Sequence, residues 1–228
     1  SSTRLRRQPT SQKVQRAIRI MPELPEVEAA RRLLATHCQG GKITSIVLSE
    51  PFDTIVFSDA DVTADTVSAA LVGKRMVAVH RKGKQLWLEL SSPPHLLAHF
   101  GMTGSFVVKG VAPLQYQEFK VHDETWPPRF TKLEIAFGTT RLAFCDPRRL
   151  GRMRLRMAPE AEEPICLLAP DPLLAPISLE AAQAVLQARR TPIKALLLDQ
   201  AALVSGVGNW VADEVLFQAR IHPEAACN

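Results

Sequence analysis

Residues 21–28 have the sequence Met-Pro-Glu-Leu-Pro-Glu-Val-Glu, and we expect the folded part of the chain to start there. Pro25 suits the first turn of a helix because the N–H group it lacks would have no partner there. Glu26 and Glu28 complement the positive end of the helix dipole. The predicted helix runs to about His37, just before a pair of glycines that would end it.

Short segments with alternating apolar and polar residues come after this helix. This period of two residues is typical of β-strands. The predicted strands span residues 43–48, 75–80, 85–90, 95–100, 105–109, 132–137 and 141–144. So many short strands close together in the chain predict a β-sandwich.

Residues 157–177 are rich in proline and acidic side chains, which is typical of a linker between domains. The chain beyond them has helical periodicity, and Ser178 is a good N-cap for the first helix. The predicted helices span residues 179–188, 194–200 and 209–218. The expected fold class is therefore α+β, with an N-terminal β-sandwich flanked by helices and followed by an all-α domain.

These elements divide the chain into four predicted parts. Residues 1–21 form a basic extension that we interpret as a targeting peptide or an unprocessed fragment. The β-sandwich domain spans residues 22–156, the linker residues 157–177, and the helical domain residues 178–228.

The formal net charge of +5 comes mainly from the N-terminal extension. Six of the 28 basic residues lie in the first 20 residues, which contain no acid, so the other 22 are balanced by all 23 acidic side chains. The total charge therefore does not by itself indicate nucleic-acid binding. Basic side chains also cluster in residues 74–84, 148–156 and 189–194, and three separate clusters favour a surface for a polyanion.

Several classes of protein are disfavoured by the sequence. It contains no apolar run of about 18 residues, so we expect no membrane span, and the basic start lacks the apolar region of a secretory signal. An intracellular compartment is therefore expected. The cysteines form no C-x-x-C pair, which argues against a zinc site and a disulfide framework. They are Cys38, Cys145, Cys166 and Cys227.

Three motifs, taken together and in this order, resemble formamidopyrimidine-DNA glycosylases. Residues 21–28 are the first motif, His-Phe-Gly-Met-Thr-Gly at 99–104 is the second, and Ser-Gly-Val-Gly-Asn-Trp at 205–210 is the third. Each motif is weak alone, but the ordered combination is highly specific. Segments 81–90, 126–132 and 218–223 resemble the plant and fungal branch most. The resemblance extends from Met21 essentially to the end of the chain, and it implies a helix–two-turn–helix domain.

The resemblance implies that Pro22 is the nucleophile. A proline nitrogen at the chain terminus is a secondary amine, and its attack on C1′ of a damaged nucleotide gives a cationic iminium that acts as an electron sink. Glu23 would shuttle protons to the opening sugar ring, and Glu26 would donate or accept hydrogen bonds in the same pocket. Lys84 would serve in catalysis and phosphate binding.

The resemblance also implies a set of DNA-binding residues. They are His99, Met102, Lys132, Arg148, Arg149, Leu150, Lys194 and Asn209. Met102 and Arg148 would fill the gap left when the damaged base is extruded. Asn209 would bind a phosphate together with the amides of a helix N-terminus. Leu150 stands where the family usually has phenylalanine, and Lys132 where bacterial members have a DNA-contacting histidine.

The implied function is that of a bifunctional DNA glycosylase and abasic-site lyase in base-excision repair. It would remove oxidised purines, such as formamidopyrimidines and 8-oxoguanine-type lesions, and cleave abasic sites by Schiff-base β-elimination. The expected partner is damaged double-stranded DNA, and we expect a monomer with no cofactor, metal or membrane association. The nucleus is the expected location, or a chloroplast or mitochondrion if the extension is a transit peptide.

Two alternatives stay open at this point. One is an endonuclease VIII-like glycosylase for oxidised pyrimidines, which can share the Pro-Glu start. The other is an inactive module that binds damaged DNA, because an acylated Pro22 nitrogen is an amide and not a nucleophile. Activity would require Pro22 to become the first residue. The sequence also stops at Asn228, before the hairpin finger of relatives, so we expect a fragment truncated at its C-terminus.

Overall fold

The computed structural model of the protein describes residues 22–112 and 125–227, and the predicted extension over residues 1–21 lies outside the described residues. The α-helices in the described ranges are α1 (Leu24–Cys38), α2 (Ala64–Leu71), α3 (Leu179–Gln187), α4 (Ile193–Leu198) and α5 (Asn209–Ala219). The strands there are β1 (Ser45–Leu48), β2 (Met76–Lys82), β3 (Gln85–Leu90), β4 (His95–His99), β5 (Ser105–Val108), β6 (Thr131–Phe137), β7 (Thr140–Cys145) and β8 (Arg152–Arg156).

The strands form the two sheets of a sandwich, as predicted. One sheet has the strand order β1-β6-β7-β5 and the other β2-β3-β4-β8, with antiparallel neighbours in both. Phe100, Phe106 and Phe144 are each at most 1% exposed, and their ring centroids lie 5.2–6.3 Å apart. Burial of these rings, with the aliphatic residues around them, stabilises the sandwich core.

Helix α1 begins and ends close to the predicted residues. Its first turn contains Pro25, and Glu23 and Glu26 form a capping box. Val27, Ala30 and Leu34 are fully buried at helical spacing, and the helix packs against β2. The packing of α1 fixes the position of the residues that precede it.

Two elements differ from the sequence prediction. Helix α2 was not predicted; it starts at a capping box between Thr63 and Thr66. Strand β8 was interpreted only as a basic cluster, because arginines alternate along it with Met153 and Leu155. Met153 is 1% exposed and faces the core, while the three arginines of this edge strand are half-buried.

The predicted linker is packed against the sandwich. It contains short 3-10 turns at Pro159–Ala161 and Ile165–Leu167. Ile165 is 1% exposed and forms a small apolar cluster with Trp87 and Leu97, on strands β3 and β4. The segment therefore has a fixed position on the sandwich in addition to connecting the domains.

The helices beyond this segment form a second core, which confirms the predicted all-α part. Leu196, Leu203, Val204, Val207 and Ala212 are buried together. None of the helices in the described ranges is long and apolar enough to cross a membrane.

A buried ion pair links the sandwich to the proline-rich segment. The side chains of Arg81 and Asp171 are 1% and 2% exposed, and the guanidinium donates to the carboxylate through both terminal nitrogens. Arg81 Nε also donates to Glu28 Oε2 at 3.1 Å, and the Gly83 amide donates to Asp171 Oδ2 at 2.6 Å. One arginine thus joins α1, the β2–β3 turn and the proline-rich segment.

We expect the substitution Asp171→Asn to lower the free energy of unfolding by about 3–5 kcal/mol, because it leaves the Arg81 charge buried and partly uncompensated. Chemical denaturation measures this change. Asp61→Asn is the matched control, since Asp61 is exposed and has a left-handed backbone that asparagine tolerates. Equal stability of the two variants would contradict the assigned role of the ion pair.

Candidate functional site

The Glu23 carboxylate is buried against the N-terminus of α5. It is 1% exposed and accepts hydrogen bonds from the backbone amides of Gly208 at 2.9 Å, Trp210 at 3.0 Å and Val211 at 3.1 Å. Amides in the first turn of a helix lack partners within the helix, and the helix dipole favours a negative charge there. While Glu23 holds these three amides, they are not free to bind a phosphate, so a phosphate at this end would rely on other donors such as the Asn209 side chain.

The residues around Glu23 lie directly against the loop that precedes α5. Pro22 is buried, and the amide of Leu24 donates to the carbonyl of Gly206 at 3.1 Å. Gly206 has φ 96°, and a side chain there would collide with Leu24, while one at Gly208 would collide with Glu23. The glycines of this motif are therefore required by the close approach of α1.

Lys84 lies close to the carboxylates of Glu23 and Glu26. It comes directly after Gly83 in the β2–β3 turn, and burial lowers the pKa of its ammonium, while the carboxylates of Glu23 and Glu26 oppose this shift. Glu26 Oε2 in turn accepts from the Glu23 amide at 3.0 Å. The structure thus brings together all four predicted catalytic residues.

His99 ends strand β4 near Lys84. Its Nδ1 accepts a hydrogen bond from the Gly101 amide at 3.2 Å, so a neutral ring carries its proton on Nε2. Burial, helped by the charges of Lys84, Arg154 and Arg152, lowers the pKa of His99 to about 4. At neutral pH the side chain is therefore an uncharged donor that can bind a phosphate oxygen through Nε2–H.

Two loops that carry predicted DNA-binding residues are held together by Asp146. This aspartate is fully buried; its Oδ1 accepts from the Thr103 hydroxyl at 2.8 Å and the Arg148 amide at 3.3 Å. Its Oδ2 accepts from the Gly151 amide at 2.7 Å. The loops at residues 101–104 and 146–151 are therefore anchored to one carboxylate.

The two loops are also in direct backbone contact. A side chain at Gly101 would collide with the carbonyl group of Leu150, so the glycine permits the approach. Met102 on the first loop is half-buried, and Arg148 and Leu150 on the second are exposed. These three side chains therefore lie on neighbouring loops. Such proximity is required if they are to fill the gap that an extruded base leaves in DNA.

The three basic residues that complete the predicted DNA-binding set have acidic partners. Lys132 and Arg149 both contact Asp53, and Lys194 Nζ lies 2.5 Å from Asp213 Oδ1, which joins α4 to α5. Asn209 is exposed at the first position of α5. In the described part of the chain, no group of three histidine, cysteine or acidic residues could hold a metal ion.

The acidic residues that organise the site carry little signal in the sequence. Asp53, Asp146 and Asp171 are each at most 4% exposed and hold arginines or backbone amides. Basic residues stand out in the sequence because they bind a polyanion, whereas isolated aspartates do not. Only Asp146 carried a signal, since it directly precedes the Pro-Arg-Arg stretch of the second loop.

Two family models match the chain. The formamidopyrimidine-DNA glycosylase N-terminal domain matches residues 21–153, and the formamidopyrimidine-DNA glycosylase H2TH domain matches residues 168–228. A curated formamidopyrimidine-DNA glycosylase from Arabidopsis thaliana is 42% identical over 205 residues, which are 89% of this chain and 51% of the relative. One from Acidothermus cellulolyticus is 37% identical, over 89% of this chain and 66% of the relative. The chain therefore spans between half and two thirds of the length of these relatives.

Solved structures with the same fold agree with these matches. The MutM (Fpg) protein from Thermus thermophilus has a TM-score of 0.70 and 33% identity, over 90% of this chain and 67% of the other. The Lactococcus lactis formamidopyrimidine DNA glycosylase, non-covalently bound to DNA that contains an abasic site, has a TM-score of 0.71 and 27% identity. That match covers 90% of this chain and 72% of the other.

We expect the His99 ring to titrate with a midpoint of about 4, well below its ordinary value of 6.5. Because the folded-state pKa is lowered, His99 contributes stability that is complete above pH 6.5 and is lost as the pH falls toward 4. Side-chain ¹⁵N chemical shifts measure the titration, with the exposed His37 as the control. A midpoint near that of His37 would show that burial and the neighbouring cations do not lower the pKa of His99.

Proposed function

The chain belongs to the formamidopyrimidine-DNA glycosylase family, and from this premise we propose that it is a base-excision repair enzyme that acts on damaged double-stranded DNA. It removes oxidised purines, including formamidopyrimidines and 8-oxoguanine-type lesions, and cleaves the abasic site that remains. The observation that carries the proposal is the convergence of Pro22, Glu23, Glu26 and Lys84 at the N-terminus of α5. It acts as a monomer, in the nucleus or in a DNA-containing organelle.

The chemistry requires Pro22 as the first residue. Its secondary amine then attacks C1′ of the damaged nucleotide and the bond from C1′ to the base breaks. The base leaves as an anion that takes a proton from water, and the proton on the proline nitrogen passes to the Glu23 carboxylate. Opening of the sugar ring breaks the bond from C1′ to O4′ and leaves a cationic iminium between C1′ and the proline nitrogen. Loss of a proton from C2′ then expels the 3′ phosphate, because the iminium accepts the electron pair.

The acidic and basic groups around Pro22 have complementary tasks in this scheme. Glu23 delivers a proton to O4′ as the ring opens, from a position fixed by three backbone amides. Lys84 lies close to the same carboxylate and, as a cation, attracts the phosphate next to the lesion. Positioning by buried hydrogen bonds supports catalysis because the groups need no reordering when DNA binds.

The neighbouring loops support a role in base extrusion. Met102 supplies a pliable apolar wedge, and Arg148 supplies donors for the base that loses its partner. Leu150 replaces an aromatic wedge, so discrimination of the opposite base differs from that of relatives with phenylalanine. Asn209 and His99 donate uncharged hydrogen bonds to backbone phosphates, and Lys194, although paired with Asp213, keeps further N–H donors.

Borohydride trapping on abasic-site DNA tests the nucleophile. We expect a covalent adduct with the form of the protein that begins at Pro22 and none with the chain of residues 1–228, because its proline nitrogen is an amide. Glu23→Gln should slow adduct formation about 10²–10⁴-fold, as expected for loss of a general acid. Pro22→Gly should also reduce the adduct, because it replaces the secondary amine.

The exposed Glu50→Gln is the matched control and should trap as well as the unsubstituted form. An adduct of equal yield with the 1–228 chain would eliminate Pro22 as the nucleophile. DNA binding without an adduct from either form would favour the inactive DNA-binding module. Base release from oxidised pyrimidines instead of purines, in a lesion panel, would favour the endonuclease VIII-like alternative.

Asn209→Ala tests the helix end as a DNA contact. We expect weaker binding by the same factor to abasic and intact duplexes, about 3–10-fold, because a phosphate contact carries no sequence information. Fluorescence anisotropy at fixed salt measures both affinities. Gln183→Ala on the exposed face of α3 is the control. Loss of affinity for only one of the two duplexes would contradict a phosphate contact.

A further inference from the structure

Asp53 joins two of the basic residues of the predicted DNA interface. Its Oδ2 lies 2.9 Å from Lys132 Nζ and accepts from Arg149 Nε at 2.8 Å, while its Oδ1 accepts from Arg149 Nη2 at 3.1 Å. The amides of Ile55 and Val56 also donate to Oδ1, each at 3.2 Å. We refer to Asp53, Lys132 and Arg149 as the Asp53 cluster.

The loop that carries Asp53 is rigidly attached to the sandwich. Val56 and Phe57 are at most 3% exposed, and the Val56 carbonyl accepts from the amide of Met153 on β8 at 2.7 Å. Lys132 lies at the start of β6 in the other sheet. The Asp53 carboxylate is therefore a fixed point at which groups from both sheets meet.

The two cations of the cluster differ in exposure. The side chain of Lys132 is 14% exposed and that of Arg149 is 48% exposed. Asp53 occupies the Nε side of the Arg149 guanidinium, so the edge formed by Nη1 and Nη2 keeps N–H groups that this carboxylate does not use. That edge has the geometry for a two-point contact with a phosphate.

The backbone of Arg149 also indicates a constrained position. It has φ 56°, a left-handed conformation that is uncommon for arginine and requires support from surrounding contacts. Asp146 holds the base of this loop, and Asp53 holds the Arg149 side chain at its tip. Burial acts to raise the pKa of Asp53, but the bonds from Arg149 and Lys132 lower it to about 2, so the carboxylate stays ionised at neutral pH.

We propose that Asp53 is a positioning residue for DNA binding, which aims the outer edge of Arg149 at a backbone phosphate, and that Lys132 acts through Asp53 without touching DNA. This inference rests on the proposed function. The Asp53 cluster contains two cations and one carboxylate, so it keeps a net positive charge that attracts a phosphate. The ordering of Arg149 before DNA arrives reduces the entropy lost on binding.

The test measures the affinity of the 228-residue chain for a duplex with a stable abasic-site analogue, by fluorescence anisotropy. We expect Asp53→Asn to weaken binding about ten-fold although it removes a negative charge from a DNA-binding surface. Asn keeps an oxygen for the two backbone amides, so the fold should be retained. Arg149→Ala should cost little more once Asp53 is asparagine, because the two residues act as one unit.

Asp59→Asn is the matched control. Asp59 lies on the same loop and pairs with Arg156 at 2.8 Å, so the variant makes the same change in charge. Charge alone predicts that both variants bind DNA slightly more tightly. Affinity of Asp53→Asn equal to or above that of Asp59→Asn would overturn the proposal, whereas failure of the unsubstituted chain to bind would first refute the proposed function.

Salt dependence separates the roles of the two cations. Arg149→Ala should reduce the slope of log K against log salt by about 0.9, the value for one lost phosphate contact, and Lys132→Met should leave the slope unchanged. A reduced slope for Lys132→Met would show direct contact with DNA. Arg149→Lys gives a second measure if Asp53→Asn does not fold. Lysine keeps the charge, but it cannot bind Asp53 with one edge and a phosphate with the other. Unchanged affinity of Arg149→Lys would contradict the proposal.

Discussion

The hydrogen bonds between the Glu23 carboxylate and the first turn of α5 hold the functional residues of both domains in one place. A buried carboxylate is costly without donors, and the amides at a helix N-terminus lack acceptors. The carboxylate before α1 of the sandwich domain accepts hydrogen bonds from the amides of the helical domain, so both groups have partners. Because α1 packs on β2, this contact also sets the distance from Pro22 to the rest of the site.

A second contact, between the β2–β3 turn and the proline-rich segment, fixes the position of Lys84. Asp171 accepts from Arg81 and from the amide of Gly83, and Gly83 directly precedes Lys84. The lysine is thus carried by a turn whose backbone is held by the segment between the domains. The arrangement proposed for catalysis depends on buried polar contacts at two points, which pair groups of the sandwich with groups of the proline-rich segment and of the helical domain.

Much of the fold could be predicted from the sequence, because α1 and most strands have clear periodicity and caps. Strand β8 was missed because its arginines concealed the burial of Met153, and α2 because a helix of eight residues gives a weak pattern. The four residues proposed for catalysis were predicted from the motifs, whose glycines reflect a real steric constraint at residues 206 and 208. The carboxylates at 53 and 171 could not be found, since their partners are distant in the sequence.

The acidic residues also change how the positive charge of the chain must be interpreted. Each basic cluster of the sequence contains side chains that are neutralised by an internal carboxylate. These pairs are Arg81 with Asp171, Arg149 with Asp53, Arg156 with Asp59, and Lys194 with Asp213. Each pair contributes little to the electrostatic potential at the surface. Attraction of a polyanion therefore depends on the few N–H groups of these side chains that point outward. On the proposed function, the binding of DNA by this chain therefore depends on where its cations lie more than on how many there are.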